Sequence, residues 1–271
     1  MLDLSQIAKA IRYEGGISRR LMLAYTSSLA SLPLLGRATN ADERPTFAAD
    51  PFSLGVASGD PDHQSVVLWT RLAPEPFHPH GGMPPVAVQV DWQVAEDEAM
   101  QKVVQSGTAT ATPQLGHSVH VEVNGLRPDR WYWYRFTAGD AQSTLGQTRT
   151  TPLPSAMPDR LRFAVTSCQN YEQGLFTAYD QMKDDENDFV IHLGDYIYEY
   201  ESGRLGDVRK HLGPEVHTVS QYRVRYSQYR SDALLQATHA KCPWIVTWDD
   251  HEFDNNCAND ISEEPNVSPA D

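Results

Sequence analysis

The stretch Phe189-Val190-Ile191-His192-Leu193-Gly194-Asp195-Tyr196-Ile197-Tyr198-Glu199-Tyr200 decides the fold class. A short apolar run rich in β-branched residues stops at a glycine, and polar and aromatic groups follow at once. This is the pattern of a buried strand that delivers side chains at its carboxyl end. The pattern recurs on either side of it. Leu161 to Thr166 runs into Ser167-Cys168-Gln169-Asn170, and Trp244 to Trp248 runs into Asp249-Asp250-His251-Glu252-Phe253-Asp254-Asn255-Asn256. Helical spacing separates these strands: Leu175, Phe176, Tyr179 and Met182 in one segment, and Val219 to Thr238 with Tyr222, Tyr226 and Tyr229 on one side. Strands alternating with helices predict a parallel sheet with covering helices, and in such sheets ligands bind outside the carboxyl ends of the strands.

Upstream of that region the text changes. From Phe52 to about Thr151 it reads as short strands: Phe52 to Ala57, Val66 to Leu72, Val86 to Ala95, Val103 to Thr112, Ser118 to Val123, Trp131 to Thr137 and Gly146 to Thr150. Several alternate apolar and polar residues, as His117-Ser118-Val119-His120-Val121-Glu122-Val123 does, so one face of each is expected to be buried. Turn signals at Ser58-Gly59-Asp60-Pro61, His80-Gly81-Gly82 and Arg127-Pro128-Asp129 punctuate them. This spacing predicts a β-sandwich, and Leu126 to Phe136 resembles the corner and penultimate strand of a fibronectin type III-like module. Pro152, Pro154 and Pro158 mark the expected linker, giving a strand-rich domain over 42–154 and an α/β domain over 155–271.

The chain is acidic, with 36 Asp and Glu against 22 Lys and Arg, a net charge of −14. Nucleic-acid binding by bulk charge is therefore disfavoured. Its basic residues are unevenly placed. Before Asp42 five of them (Lys9, Arg12, Arg19, Arg20, Arg37) outnumber Asp3 and Glu14, and Arg19-Arg20 precedes an apolar run from Leu21 to Leu35 and the small residues up to Ala41. That order predicts a secretory signal over 1–41 in its twin-arginine form, with cleavage after Ala41. The run is too short and too diluted by Ser and Thr for a stable membrane span. The twin-arginine export machinery is thus an expected partner and the periplasm or extracellular space the expected location. Because that pathway carries folded proteins, often already loaded, it also hints at a cofactor.

Three loops at one sheet edge would gather thiol, carboxylate, phenol and imidazole groups. Packed carboxylates repel one another unless a cation neutralises them, and Cys, Asp, Tyr and His are all competent ligands. A thiolate, phenolate and carboxylate set suits a trivalent metal such as iron, while carboxylate and amide oxygens beside it suit calcium. Two bridged metals would form a clamp for in-line attack at phosphorus.

Gly194-Asp195 followed by Asp250-His251-Glu252 at successive strand ends resembles the calcineurin-like metallophosphoesterase framework. The forms Ser167-Cys168-Gln169, His192 to Glu199, and Trp248 to Glu252 with Asn255-Asn256 resemble the PhoD-type alkaline phosphatase family more narrowly. So do Gly55-Val56-Ala57-Ser58-Gly59-Asp60-Pro61 and Leu68-Trp69-Thr70-Arg71. The resemblance implies an exported phosphomonoesterase and phosphodiesterase with an Fe3+ and Ca2+ centre that releases phosphate from extracellular esters. It implies Cys168 and Tyr198 as iron ligands, Asp195 as the bridging carboxylate, Asp250 in the place of the framework's metal-binding Asn, and Asn255 as a calcium ligand. His251 would orient substrate or protonate the leaving group, with Asp250 beside it in the catalytic set.

The same resemblance extends past residue 271 in the family, whose later His-containing blocks complete the metal site. The expected fold is therefore a sandwich followed by an incomplete metallophosphatase α/β domain, with one apolar edge or face of the three-stranded sheet uncovered and activity of this chain alone in question. A non-catalytic exported β-sandwich binding module is the alternative; hard carboxylate and phenolate ligands argue against a redox protein. Among lesser features, His192 reads as a core histidine, and Arg223, Arg225 and Arg230 read as a solvated helix face. Cys242 and Cys257 are read either as a disulfide or as two reduced buried thiols.

Overall fold

In a computed structural model, residues 45–258, 261 and 262 are described; the expected signal peptide lies outside them. Eleven strands are assigned: β1 Val56–Gly59, β2 Ser65–Arg71, β3 Val88–Ala95, β4 Val103–Ala111, β5 Ser118–Asn124, β6 Trp131–Ala138, β7 Ala141–Gln142, β8 Gly146–Arg149, β9 Phe163–Thr166, β10 Phe189–His192 and β11 Trp244–Val246. Among the described residues the α-helices are α1 Ala178–Met182, α2 Val219–Arg230 and α3 Ala233–His239. The described residues are thus rich in β-sheet and poor in helix. No helix of the described residues is long and apolar enough to cross a membrane.

The strands form two sheets. One has the order β4-β3-β6-β7, with β8 also on β6; the other has the order β5-β2-β1-β11-β10-β9. Alternation explains how they face each other. The inward residues Val66, Leu68, Val119, Val121 and Val123 from one sheet meet Val88, Val90, Val94, Tyr132, Tyr134 and Phe136 from the other in one buried cluster. At about 25 cal/mol per Å² of apolar surface removed from water, such interdigitation is the dominant favourable contribution.

The second sheet is not confined to the strand-rich half. β1 pairs antiparallel with β2 on one side and parallel with β11 on the other, at Gly59 opposite Trp244. A Cβ at Gly59 would sit 2.8 Å from the Trp244 carbonyl oxygen, so only glycine permits the approach. The pairing covers the edge that β1 would otherwise expose. Arg149 on β8 reinforces the connection, since its guanidinium bonds Asp188 just before β10 and Asp129 at 2.5 Å.

Beyond that seam β11, β10 and β9 run parallel. Their inner face, with Val190, His192 and Trp244, packs on α1, α3 and the 196–197 loop through Tyr179, Leu235, Tyr196 and Ile197. On the other face Phe163 stacks on Phe189 at 5.3 Å, and Phe163, Val165 and Ile245 are exposed. The predicted helix over 219–238 is broken at Ser231-Asp232, because the Asp232 carboxylate caps α3 by accepting from the N–H groups of Leu234 and Leu235.

Arg225 and Arg230 of α2 correct the expected solvated face, whereas Arg223 is partly exposed. Arg225 and Arg230 are buried. Arg225 donates to the Tyr198 carbonyl, and Arg230 donates to the carbonyls of Leu54 (3.0 Å) and Val56 (3.2 Å) while lying over the Trp69 ring. A guanidinium carries five donors, so it can satisfy carbonyls at the ends of several elements at once. These arginines fasten the helix to the sheet and to the second loop.

Candidate metal centre

The three loops that follow β9, β10 and β11 meet at one edge. Cys168 N–H donates to the Gly194 carbonyl (3.1 Å) and Gln169 N–H to the Asp195 carbonyl (3.2 Å), which ties the first loop to the second. The second and third loops touch still more closely. A Cβ at Gly194 would lie 2.5 Å from the Asp249 Cβ, and Gly194 also has φ of +106°, so the position requires glycine twice over. Cys168 and Asp195, two and three residues past the ends of β9 and β10, sit at φ of +53°. Left-handed conformations at non-glycine residues persist only where the surroundings over-determine them, and they collect at functional sites.

Glu252 supplies much of that determination. Its Oε2 accepts from the N–H groups of Asp195 (3.1 Å) and Asp249 (2.6 Å), and its Oε1 accepts from Tyr196 and, at 3.4 Å, from Ile197. One buried carboxylate therefore fixes both loops that carry the acidic ligand candidates.

This stitching gathers Asp195, Asp250 and His251 so that one ligand atom from each lies within 4.8 Å of the others. Asp195 is buried, and its Oδ1 has no hydrogen-bond partner while its Oδ2 accepts from the Tyr198 hydroxyl at 3.1 Å. An ionised carboxylate oxygen left bare in a buried place is costly unless a cation compensates it. The orphaned oxygen, with a second carboxylate and an imidazole around it, fits a bound metal ion.

The local electrostatics point the same way. Burial would raise the Asp250 pKa, but the Asn256 N–H at 2.6 Å and the His251 charge outweigh it and hold the carboxyl below its usual range. Burial would lower that of His251, but the hydrogen bond and charge of Glu199, then Asp195 and Asp250, raise it overall. The Tyr198 phenol is pushed far up by burial and by the Asp195 and Cys168 charges. As a ligand, Tyr198 would have to exchange its hydrogen bond to Asp195 for the metal.

The remaining expected residues are placed less uniformly. Cys168 is exposed and lies outside the three-residue cluster. The Asn255 N–H donates to Glu199 Oε1 at 3.0 Å. His192 is a core residue: its Nδ1 accepts from the Gly194 N–H at 3.2 Å, its Nε2 is unpartnered, and burial drives its pKa down to about 4. Cys242 and Cys257 are both free thiols, the first buried and the second partly exposed. A mostly apolar groove of about 930 Å³, lined by Trp69, Tyr222, Tyr226, Trp248 and Phe253, contains none of the three clustered residues. Sequence reasoning quoted Glu199 and Glu252 within its motifs but gave them no role. Their place directly after a ligand candidate, on loops that must be held, was the available signal.

Residues 37–152 match the family described as PhoD-like phosphatase, N-terminal domain, and residues 163–270 match PhoD-like phosphatase. The chain belongs to the PhoD-like phosphatase family. It is 54% identical over 223 residues to alkaline phosphatase D of Bacillus subtilis (strain 168), a match covering 81% of this chain and 38% of that protein. It also superposes with a TM-score of 0.81 and 53% identity on a solved structure titled "Structure of PhoD", covering 83% of this chain and 44% of the other. The chain thus spans well under half the length of these two PhoD-like relatives. The first matched segment holds Gly59, and the second holds Trp244 and the three loops.

Proposed function

We propose that this chain forms the metal-binding front portion of an exported phosphoesterase that releases phosphate from extracellular monoesters and diesters, with residues 42–154 as a fibronectin III-like module and 155–271 as the first part of the phosphatase domain. The single observation that carries the reading is the bare, buried Oδ1 of Asp195, on a residue whose carboxylate clusters with Asp250 and His251. Membership of the family and the identity to an alkaline phosphatase support the reaction class. The basic surplus before Asp42, with Arg19-Arg20 ahead of the apolar run from Leu21 to Leu35, supports export through the twin-arginine machinery.

In this reading Asp195 and Asp250 hold the metal ions, with Tyr198 and Cys168 completing an Fe3+ set and Asn255 serving Ca2+. When bound, such ions polarise the phosphoryl oxygens and supply hydroxide at neutral pH. The chain's own residues do the rest. Asp195 presents its carboxylate from a fixed backbone, because Glu252 accepts its N–H. His251, held beside the carboxylates, presents its ring to the ester and gives a proton to the departing oxygen. Tyr198 and Tyr200, whose rings lie 4.1 Å and 5.3 Å from that of His251, narrow the site around it.

The test combines elemental analysis with hydrolysis of a chromogenic phosphomonoester and a phosphodiester, using this chain beside a version extended to the length of its relatives. Metal-dependent hydrolysis that is lost in Asp195→Asn and Cys168→Ala is the expected result. Absence of both metal and activity from the extended version would overturn the enzyme reading in favour of a binding module.

A further inference from the structure

We infer that Glu199 is the positioning residue of the site, fixing the tautomer and orientation of His251 so that its Nε2 edge is the one offered to the phosphoester. The inference rests on the phosphoesterase reading for its purpose, though not for its geometry.

Glu199 is only 1% exposed, and both of its carboxylate oxygens are engaged. Oε2 lies 2.8 Å from His251 Nδ1, and Oε1 accepts the Asn255 N–H at 3.0 Å. The residue therefore spans from the loop after β10 to both ends of the metal-facing turn after β11. Its own backbone cannot drift: its carbonyl accepts the Val216 N–H at 3.0 Å, and the preceding Tyr198 carbonyl is held by the buried Arg225. A carboxylate only accepts, so Nδ1 carries a proton in either charge state, and Nε2 is the nitrogen left for the ester: bare in the neutral ring and the proton donor when the ring is charged. The Tyr198 ring at 4.1 Å and the Tyr200 ring at 5.3 Å block rotation of the imidazole out of that bond. The loop thus divides its work within five residues: Asp195 would hold the cation, Tyr198 bonds Asp195, and Glu199 bonds and aims His251.

Long-range 15N–1H NMR on histidine-labelled, metal-stripped chain at alkaline pH reads the tautomer without reference to activity. The native chain is expected to show His251 protonated at Nδ1. In Glu199→Gln the side-chain amide can donate to Nδ1, so the ring is expected to move to the Nε2-protonated form, while Glu199→Asp retains the native tautomer at least in part. In the metal-loaded, length-extended protein, Glu199→Gln is expected to lower kcat for ester hydrolysis by about 10–100-fold with KM and metal content within about twofold. A native ring protonated at Nε2 overturns the inference even if the Gln variant fails to fold, and so does a folded Gln variant with an unchanged tautomer. A tautomer that switches in a protein hydrolysing no ester supports the role of Glu199 and places the failure in the phosphoesterase reading.

Discussion

The space between the two sheets and the polar edge of β9 to β11 are held by different physics. Between the sheets, alternating side chains bury Val, Leu, Tyr and Phe with little need for directional bonds. At the edge, buried carboxylates and guanidinium groups clamp backbone N–H and carbonyl groups, several non-glycine residues adopt left-handed conformations, and one carboxylate oxygen is left bare. The first region gains its stability chiefly from the apolar surface it buries. The second carries costs that make sense only if a cation is to be held there. Substitutions should therefore damage stability in the first region and ligand affinity in the second.

The largest effect is expected between the sheets. Phe136→Ala deletes a fully buried ring at the meeting point of the two sheets and should cost about 4 kcal/mol in denaturant unfolding. Loss of less than about 1 kcal/mol would mean that this interior is not the stabilising core. Acid comes next. Burial drives His192 and His211 down to about 4, with the Arg225 charge adding to the effect on His211. Their folded-state values lie below the ordinary 6.5, so the unfolded chain binds these protons first. The stability they preserve is complete above pH 6.5 and is lost as pH falls from there towards 4, about 3 kcal/mol for each ring. Unfolding across that window should be less steeply pH-dependent in His211→Asn; an unchanged slope would contradict a neutral buried imidazole.

Glu252→Gln should cost about 2 kcal/mol, because a buried acceptor of N–H groups from both loops becomes partly a donor. Its larger consequence should be metal affinity, measured by titration, since Asp195 and Asp250 lose their common anchor. Val165→Thr on the exposed face of β9 should lie within about 0.5 kcal/mol of the parent. A cost above about 1 kcal/mol would show that this face is covered in solution.

Much of this arrangement was legible in the sequence. Period-two alternation located the strands of the front half because each has one wet and one dry face, and the glycine that ends the 189–194 run marked the site edge. The seam was not legible. Gly59 and Trp244 pair across 185 positions of chain, and nothing local in either segment announces the other. Arg225 and Arg230 of α2 were misread for a related reason: helical spacing places charges on a face but does not say whether carbonyls from another element cover that face. Asp195, Tyr198, Asp250 and His251, which the structure brings together, were named from their motifs. The carboxylates that hold them were not, since a supporting glutamate looks like any other until its partners are seen.

The central claim is that the bare carboxylate at Asp195 exists for a cation. The most direct measurement is denaturant unfolding of the parent chain and of Asp195→Asn, each with and without added metal ions. The parent should gain about 3 kcal/mol when free metal exceeds its dissociation constant a hundredfold. Asp195→Asn should match or exceed the metal-free parent in stability and gain nothing from metal. Equal stabilisation of both chains by metal, or a marked loss of metal-free stability in Asp195→Asn, would contradict the account.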